Sequence, residues 1–291
     1  MSAIVEQAAE AAAPEARGRR RARRSLTLGI GLVLVGLVVI VAVVSFFWLP
    51  YAQSDTSGTR LEQPSAAHWL GTDRFGRDLV TQLMIGARIA LAVGLGSVAI
   101  GAVVGGTLGL LAAFATKWLD DTLSAVLDIL IAFPTLLLAM LIVAAQGASL
   151  GTAIVAIGLA MSAVVARLTR VLAKRVLSQQ YVTAARTSGT SWPGIIARHI
   201  LPNIWPTLSV NLALQFGVAV LAEASLSYLG LGAPPPNASW GRLLQEAQGT
   251  VSTAPAGAIA PGVALVVLVI GVNLVADGLR DVADPTRRRS R

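Results

Sequence analysis

Few residues in this chain could carry covalent chemistry, and their spacing argues against it. Gly147-Ala148-Ser149-Leu150-Gly151 matches G-x-S-x-G, the turn that presents a nucleophilic serine between a strand and a helix. Here it joins two apolar runs, and His68 and His199 are the only histidines that could serve as its base. A plain turn between two helices is the simpler reading. The two lysines, Lys117 and Lys174, follow Thr116 and Ala173, so no Gly-Lys pair builds a phosphate-binding loop. There is no H-E-x-x-H, and the absence of cysteine removes disulfides, thiolate metal sites and cysteine nucleophiles together. Asp73 and Asp78 lack the alternating oxygen ligands of a calcium loop and read as capping and local pairing. No catalytic, cofactor-binding or metal-binding residue is assigned.

The polar residues that remain lie inside apolar runs, where an ionisable or amide group is a functional candidate. Asp128 and Pro134 fall in a run from about 123 to 145, and Asn211, Gln215 and Glu223 in one from about 208 to 229. These five are the candidates for lining a pathway. Equally, each could hydrogen-bond between helices of a bundle, and Asp128 could reach the membrane interface.

The elements that must hold them are membrane spans. Of 291 residues, 55% are hydrophobic and only 13% charged, against about 25% charged in soluble domains. Mean hydropathy is +0.70. The expected fold is all-α and polytopic, with six spans near 26–49, 89–115, 123–145, 152–171, 208–229 and 258–275. Phe46, Phe47, Trp48 and Tyr51 form an aromatic belt at the far end of the first. That first run is too long for a signal-peptide core and no A-x-A site follows it. Ser97, Gly101, Gly105 and Gly109 repeat every four residues, a smooth strip for close helix packing. Pro134 predicts a kink in the third span. In the 50–82 segment, Gly71, Thr72 and Asp73 predict a turn and N-cap for a helix beginning near Arg77. A short surface helix is expected over about 240–248.

With six spans, 18 of the 23 Lys and Arg residues share the side of the termini. The positive-inside rule therefore puts both termini in the cytoplasm. The +8 charge is thereby explained by lipid and topology, and no nucleic-acid partner is implied. Residues 1–24 read as a disordered basic tail, 25–82 as the first span plus an extracytoplasmic segment, 83–286 as the membrane core and 287–291 as a basic end.

The same count makes 181–206 a cytoplasmic loop, and it is patterned. Trp192, Ile195, Ile196, His199 and Ile200 sit at i, i+3, i+4, i+7 and i+8, one apolar stripe of a short helix. Pro202 is expected to end that helix. The stripe must either fold back on its own chain or dock into another protein.

Thr183-Ala184-Ala185, then Gly189, then His199-Ile200-Leu201-Pro202 resembles the EAA signature of ABC importer permeases, with its spacing kept. More narrowly, four segments resemble the C-type permeases of dipeptide, oligopeptide and nickel importers. They are His68-Trp69-Leu70-Gly71-Thr72-Asp73 with Gly76-Arg77-Asp78, His199 with Leu201-Pro202-Asn203, Leu226 to Gly232, and Asp277 to Asp281 with Asp284-Pro285. The likeness runs from about residue 25 to 286. One departure is Thr183, which stands where the signature usually has glutamate.

The resemblance implies the type I ABC importer permease fold in a bacterial cell membrane and a non-catalytic subunit without cofactor. Its loop would be a coupling helix docking on an ATPase through Ala184, Ala185, Gly189, Trp192, Ile195, Ile196, His199, Leu201, Pro202 and Asn203. Implied partners are a second, homologous permease, two ATPase subunits or a fused pair, and an extracytoplasmic solute-binding protein. The 240–248 helix would face that binding protein. The implied cargo is a dipeptide, an oligopeptide or a similar small solute; nickel chelates and haem fit the same subunit type. A secondary transporter would instead show inverted repeats and more buried charge, neither of which the sequence displays.

Overall fold

The computed structural model describes residues 26–234 and 237–283. The basic tail, the 287–291 end and Asp284-Pro285 lie outside the described residues. Nine helices are described: α1 Leu26–Phe47, α2 Leu79–Phe114, α3 Lys117–Ala132, α4 Thr135–Gln146, α5 Leu150–Leu177, α6 Gln180–Thr187, α7 Trp192–Tyr228, α8 Trp240–Ala247 and α9 Ala256–Ala283. Among the described residues there is no strand, only an isolated bridge between Thr72 and Asp78.

Five helices, α1, α2, α5, α7 and α9, are long and apolar enough to cross a membrane, and the bent α3–α4 pair makes a sixth. The third span thus differs from expectation: its halves meet at 89°. Phe133 is extended with ψ 131°, because the ring of Pro134 excludes helical backbone in the residue before it. The break is a corner, not a kink.

The second span also differs. It begins ten residues earlier than its apolar run, because Asp78 caps it: Thr81 N donates to Asp78 Oδ2 at 2.8 Å. The 36-residue helix is about 54 Å long, well beyond the ~30 Å hydrocarbon layer. A π-helical stretch, Gly101–Gly105, lies inside it.

Small residues set the packing. A Cβ on Gly105 would meet Ser162 O at 2.4 Å, and one on Gly109 would meet Ala166 O at 2.4 Å. Ser97 Oγ donates to Ile154 O at 3.1 Å. The four-residue strip therefore lies directly on the backbone of α5, an approach that only residues without bulk allow. The main core joins Ile85, Ile89 and Val93 of α2, Ala139 and Val143 of α4, Ala156, Ile157 and Met161 of α5, and Ala219, Ala222 and Leu226 of α7. A second cluster puts Val38 and Ala42 of α1 with Val220 of α7, Trp240 of α8 and Leu268 of α9. Helices α2 and α7 belong to both clusters and tie the bundle together.

Candidate functional site: a braced loop and a polar cap

The 181–206 loop is built from α6 and the first turns of α7. Gly189 joins them with φ +86°, a conformation that side chains rarely adopt, and nothing lies within 4 Å of a Cβ built there. Its N–H donates to Arg186 O at 2.9 Å, closing the end of α6.

The apolar stripe folds back on its own chain. Ile195 and Ile200 are 0% exposed, packed with Ala173 and Val176 of α5, Val182 of α6 and Ile204. Leu110, Ala113 and Phe114 at the end of α2 complete the cluster. This corrects the assignment of Ile195, and largely that of the half-buried Ile196, as docking residues: burying them on α2 and α5 leaves no apolar area there for a partner. Trp192 is the stripe's exception, 40% exposed. Its ring takes the Phe114 edge at 5.0 Å and the Arg186 guanidinium at 3.8 Å. Tyr181 and His199 meet at 5.9 Å. Tyr181, Ala184, Gly189, Trp192, Leu201, Pro202 and Asn203 remain exposed on one end of the molecule, as does Thr183.

Pro202 does not end the helix. The chain runs on from Trp192 to Tyr228 through a π-helical stretch, Ile196–Ile200. Pro202 sits in the first turn of the helix that follows, where a missing N–H is tolerated. Asn203 Nδ2 donates to His199 O at 2.6 Å, satisfying a carbonyl beside the disturbed ladder. The second half of the loop, from Trp192 onward, is therefore continuous with the rest of α7.

The five pathway candidates do not converge. Asp128 is exposed on α3 and pairs with Arg167 of α5 at 3.2 Å. Pro134 is the corner between α3 and α4. Glu223 is 2% exposed and accepts from Ser227 Oγ at 2.6 Å. Asn211 and Gln215 are half-buried on α7, and Asn211 Oδ1 is buried without a hydrogen-bond partner. Sequence reasoning missed Asp120, which Arg170 grips with two bonds, Nε to Oδ1 at 2.6 Å and Nη2 to Oδ2 at 2.9 Å, with Lys174 as a further partner. The signal for it was available: Arg167, Arg170 and Lys174 form one stripe of α5, which an acidic face of α3 must meet.

At the opposite end lies a polar cap. Asp73 does not cap a helix. Its Oδ1 accepts from Phe75 N at 2.7 Å and Arg77 N at 3.0 Å, and its Oδ2 from Arg77 Nε at 2.6 Å. Arg77 Nη2 donates to Glu246 Oε2 at 2.6 Å, and Arg242 Nε to Glu246 Oε1 at 2.9 Å. His68 Nδ1 lies 3.1 Å from Asp78 Oδ1, its ring 4.6 Å from that of Tyr51. Helix α8 is not on the surface: Trp240 is 3% exposed, its Nε1 donates to Leu83 O at 3.0 Å, and Gly241 abuts Ala224 O. Trp240, Leu243 and Ala247 form an apolar stripe that the bundle covers. A cleft of about 330 Å³ opens beside it, lined by Ala148, Ser227, Tyr228, Gly232, Arg242 and Gln245.

A bundle of long apolar helices with a braced loop at one end and an ion-paired cap at the other is the architecture of a multi-spanning membrane protein. The chain belongs to the family described as "Binding-protein-dependent transport system inner membrane component", which matches residues 105–289. It is 37% identical over 257 residues to the dipeptide transport system permease protein DppC of Alkalihalophilus pseudofirmus, covering 88% of this chain and 84% of that one. It is 39% identical to the glutathione transport system permease protein GsiD of Pectobacterium atrosepticum, covering 87% of this chain and 86% of that one. It is 40% identical to a putative peptide transport system permease protein of Brucella suis, covering 91% and 90%. The fold is shared with the inward-facing MetNI methionine ABC transporter, at a TM-score of 0.59 and 21% identity over 70% of this chain and 96% of that one. The expected family, the all-α fold and the importer-permease role are thus shown.

Proposed function

We propose that this chain is the permease subunit through which ATP hydrolysis on partner subunits drives import of small peptides, with 181–206 as the coupling segment. The observation that carries this reading is the cluster of Ile195, Ile200 and Ile204 against α2 and α5. A push on the exposed face at Tyr181, Ala184 and Trp192 cannot be absorbed locally, because the stripe beneath is locked to two spanning helices and continuous with a third. Such a lever converts ATPase closure into rigid-body movement of the bundle. Asn211 and Gln215, polar and half-buried on that third helix, are the residues we assign to the pathway; Asp128 and Glu223 have protein partners instead.

The peptide assignment rests on three relatives whose names specify a dipeptide, glutathione (itself a tripeptide) and peptides. The basic-residue count supports cytoplasmic termini, an orientation in which the polar cap faces the binding protein. Two ATPase subunits, a second permease and a solute-binding protein complete the assembly.

Substituting Gly189 tests the coupling role. Proline cannot adopt φ +86° and lacks the N–H bonded to Arg186 O, whereas asparagine tolerates positive φ. Gly189→Pro is expected to abolish co-purification of the ATPases with membrane insertion intact, while Gly189→Asn retains most of it. Full recovery of the ATPases with Gly189→Pro would refute the assignment. Uptake of labelled di- and oligopeptides, against nickel chelate and haem, in a deletion strain complemented with this chain tests the cargo.

A further inference from the structure

Arg88 is the sole ionisable residue along α2, and α1 beside it has none. Its Nε donates to Ser45 Oγ, whose own hydrogen goes to Ala42 O at 2.6 Å. Its guanidinium lies 4.3 Å from the centre of the Phe46 ring. Both contacts fix the plane of the fork, and neither neutralises it. The terminal amino groups have no protein partner among the described residues, and no carboxylate lies in ion-pair reach.

The depth of this cation follows from α1. From Leu26 to Phe47 it carries no charge over about 33 Å, close to the ~30 Å of hydrocarbon, and its Phe47 end, ringed by aromatic side chains, marks one membrane boundary. Ser45 is two residues from the end that enters the 50–78 loop. Around it Phe46, Phe47 and Trp48 are 68%, 87% and 52% exposed, an uncovered aromatic belt. The guanidinium therefore sits at the level of lipid headgroups, on a surface that lipid wets. An oriented arginine fork with two open donors matches the paired oxygens of a phosphodiester.

We propose that Arg88, oriented by Ser45 and Phe46, forms a binding site for the phosphodiester of one membrane phospholipid in the leaflet next to the 50–78 loop. The bound lipid clamps α1 to α2, since the fork bridges both helices. This site is independent of the transport cargo and of the coupling loop.

The test uses the full chain, delipidated in dodecyl maltoside, a detergent without phosphate. Dihexanoyl phosphatidylglycerol and phosphatidylcholine are titrated while the melting temperature is followed. Both are expected to raise it saturably in the wild type, phosphatidylglycerol at lower concentration; inorganic phosphate is expected to do nothing. Arg88→Gln is expected to weaken the apparent affinity about tenfold, the loss of a charge-assisted fork, and Arg88→Lys to fall between. If Arg88→Gln does not fold, Phe46→Leu keeps the apolar contact and removes the ring, and a several-fold weakening is expected. Titrations of Arg88→Gln, or of Phe46→Leu in its place, that superimpose on the wild type would overturn the proposal. So would a phosphate-induced shift equal to that of the lipids, which would mark a free-anion site.

Discussion

Arg77 shows how much one side chain can hold. It joins Asp73 in its own loop to Glu246, 169 residues away, and is only 15% exposed while Glu246 is 3% exposed. Removing one partner of such a pair leaves a buried charge uncompensated, so Arg77→Ala should cost about 3 kcal/mol. Arg77→Ala/Asp73→Asn should recover part of that, because Glu246 keeps Arg242 while Asp73 has no other cation among the described residues, and asparagine still offers an Oδ1 to Phe75 N and to the backbone N–H of residue 77; midpoints of denaturation in detergent would show it. Equal midpoints for the single and double variants would mean that the pair carries no such load. The sequence made Asp73, Arg77 and Asp78 visible as a polar cluster but assigned the cap to the wrong aspartate. Either Asp could cap a helix near Arg77, and only the partner Glu246 decides that Asp73 is needed elsewhere. Ile195 teaches the same lesson from the other side. Its stripe was legible from spacing alone, but spacing does not say whether the covering surface is another protein or the ends of α2 and α5.

Among elements, α2 was the most legible, because its strip of small residues has a single physical use. Its glycines differ in what they face, and that difference is measurable. A Cβ on Gly109 would lie 2.4 Å from Ala166 O, while Gly106, three residues away, has nothing within 4 Å. Gly109→Ala should force α2 and α5 apart and sharply reduce folded yield, assayed by size exclusion after solubilisation. Gly106→Ala should be neutral or stabilising by about 0.5–1 kcal/mol, the helix propensity gained. Loss of yield in both would point to general intolerance of the helix rather than to this contact. The α3–α4 corner and α8 were less legible. Pro134 announces a disturbance, yet the turn of 89° depends on α3 following the basic stripe of α5 through Asp120 while α4 packs into the main core. Helix α8 is short and polar enough to read as a surface element, and its burial depends on Gly86 and Gly241 admitting Trp240 against α2 and α7.

At the scale of the molecule, the two polar ends are connected by α7, which runs from the 181–206 loop to the cleft beside α8. Sidedness is the property on which the transport reading turns, and the absence of cysteine gives a clean background for measuring it. Thr187→Cys, exposed at the end of α6, should react with an impermeant maleimide only after the cells are permeabilised. Asp55→Cys in the 50–78 loop should react in intact cells. The opposite pattern would invert the molecule and put the 181–206 loop out of reach of a cytoplasmic ATPase.

The sequence by itself determined that this is a multi-spanning helical membrane protein, which glycines must pack, and that it resembles importer permeases. Each of these follows from local quantities: run length, four-residue spacing and the order of motifs. Only the tertiary structure decided that the apolar stripe is buried on α2 and α5, that the loop from Trp192 onward is continuous with α7, and that Glu246 rather than a helix end claims Arg77. Those outcomes depend on which distant surfaces meet, and a stripe or a charge specifies that it needs a partner without specifying which one it finds.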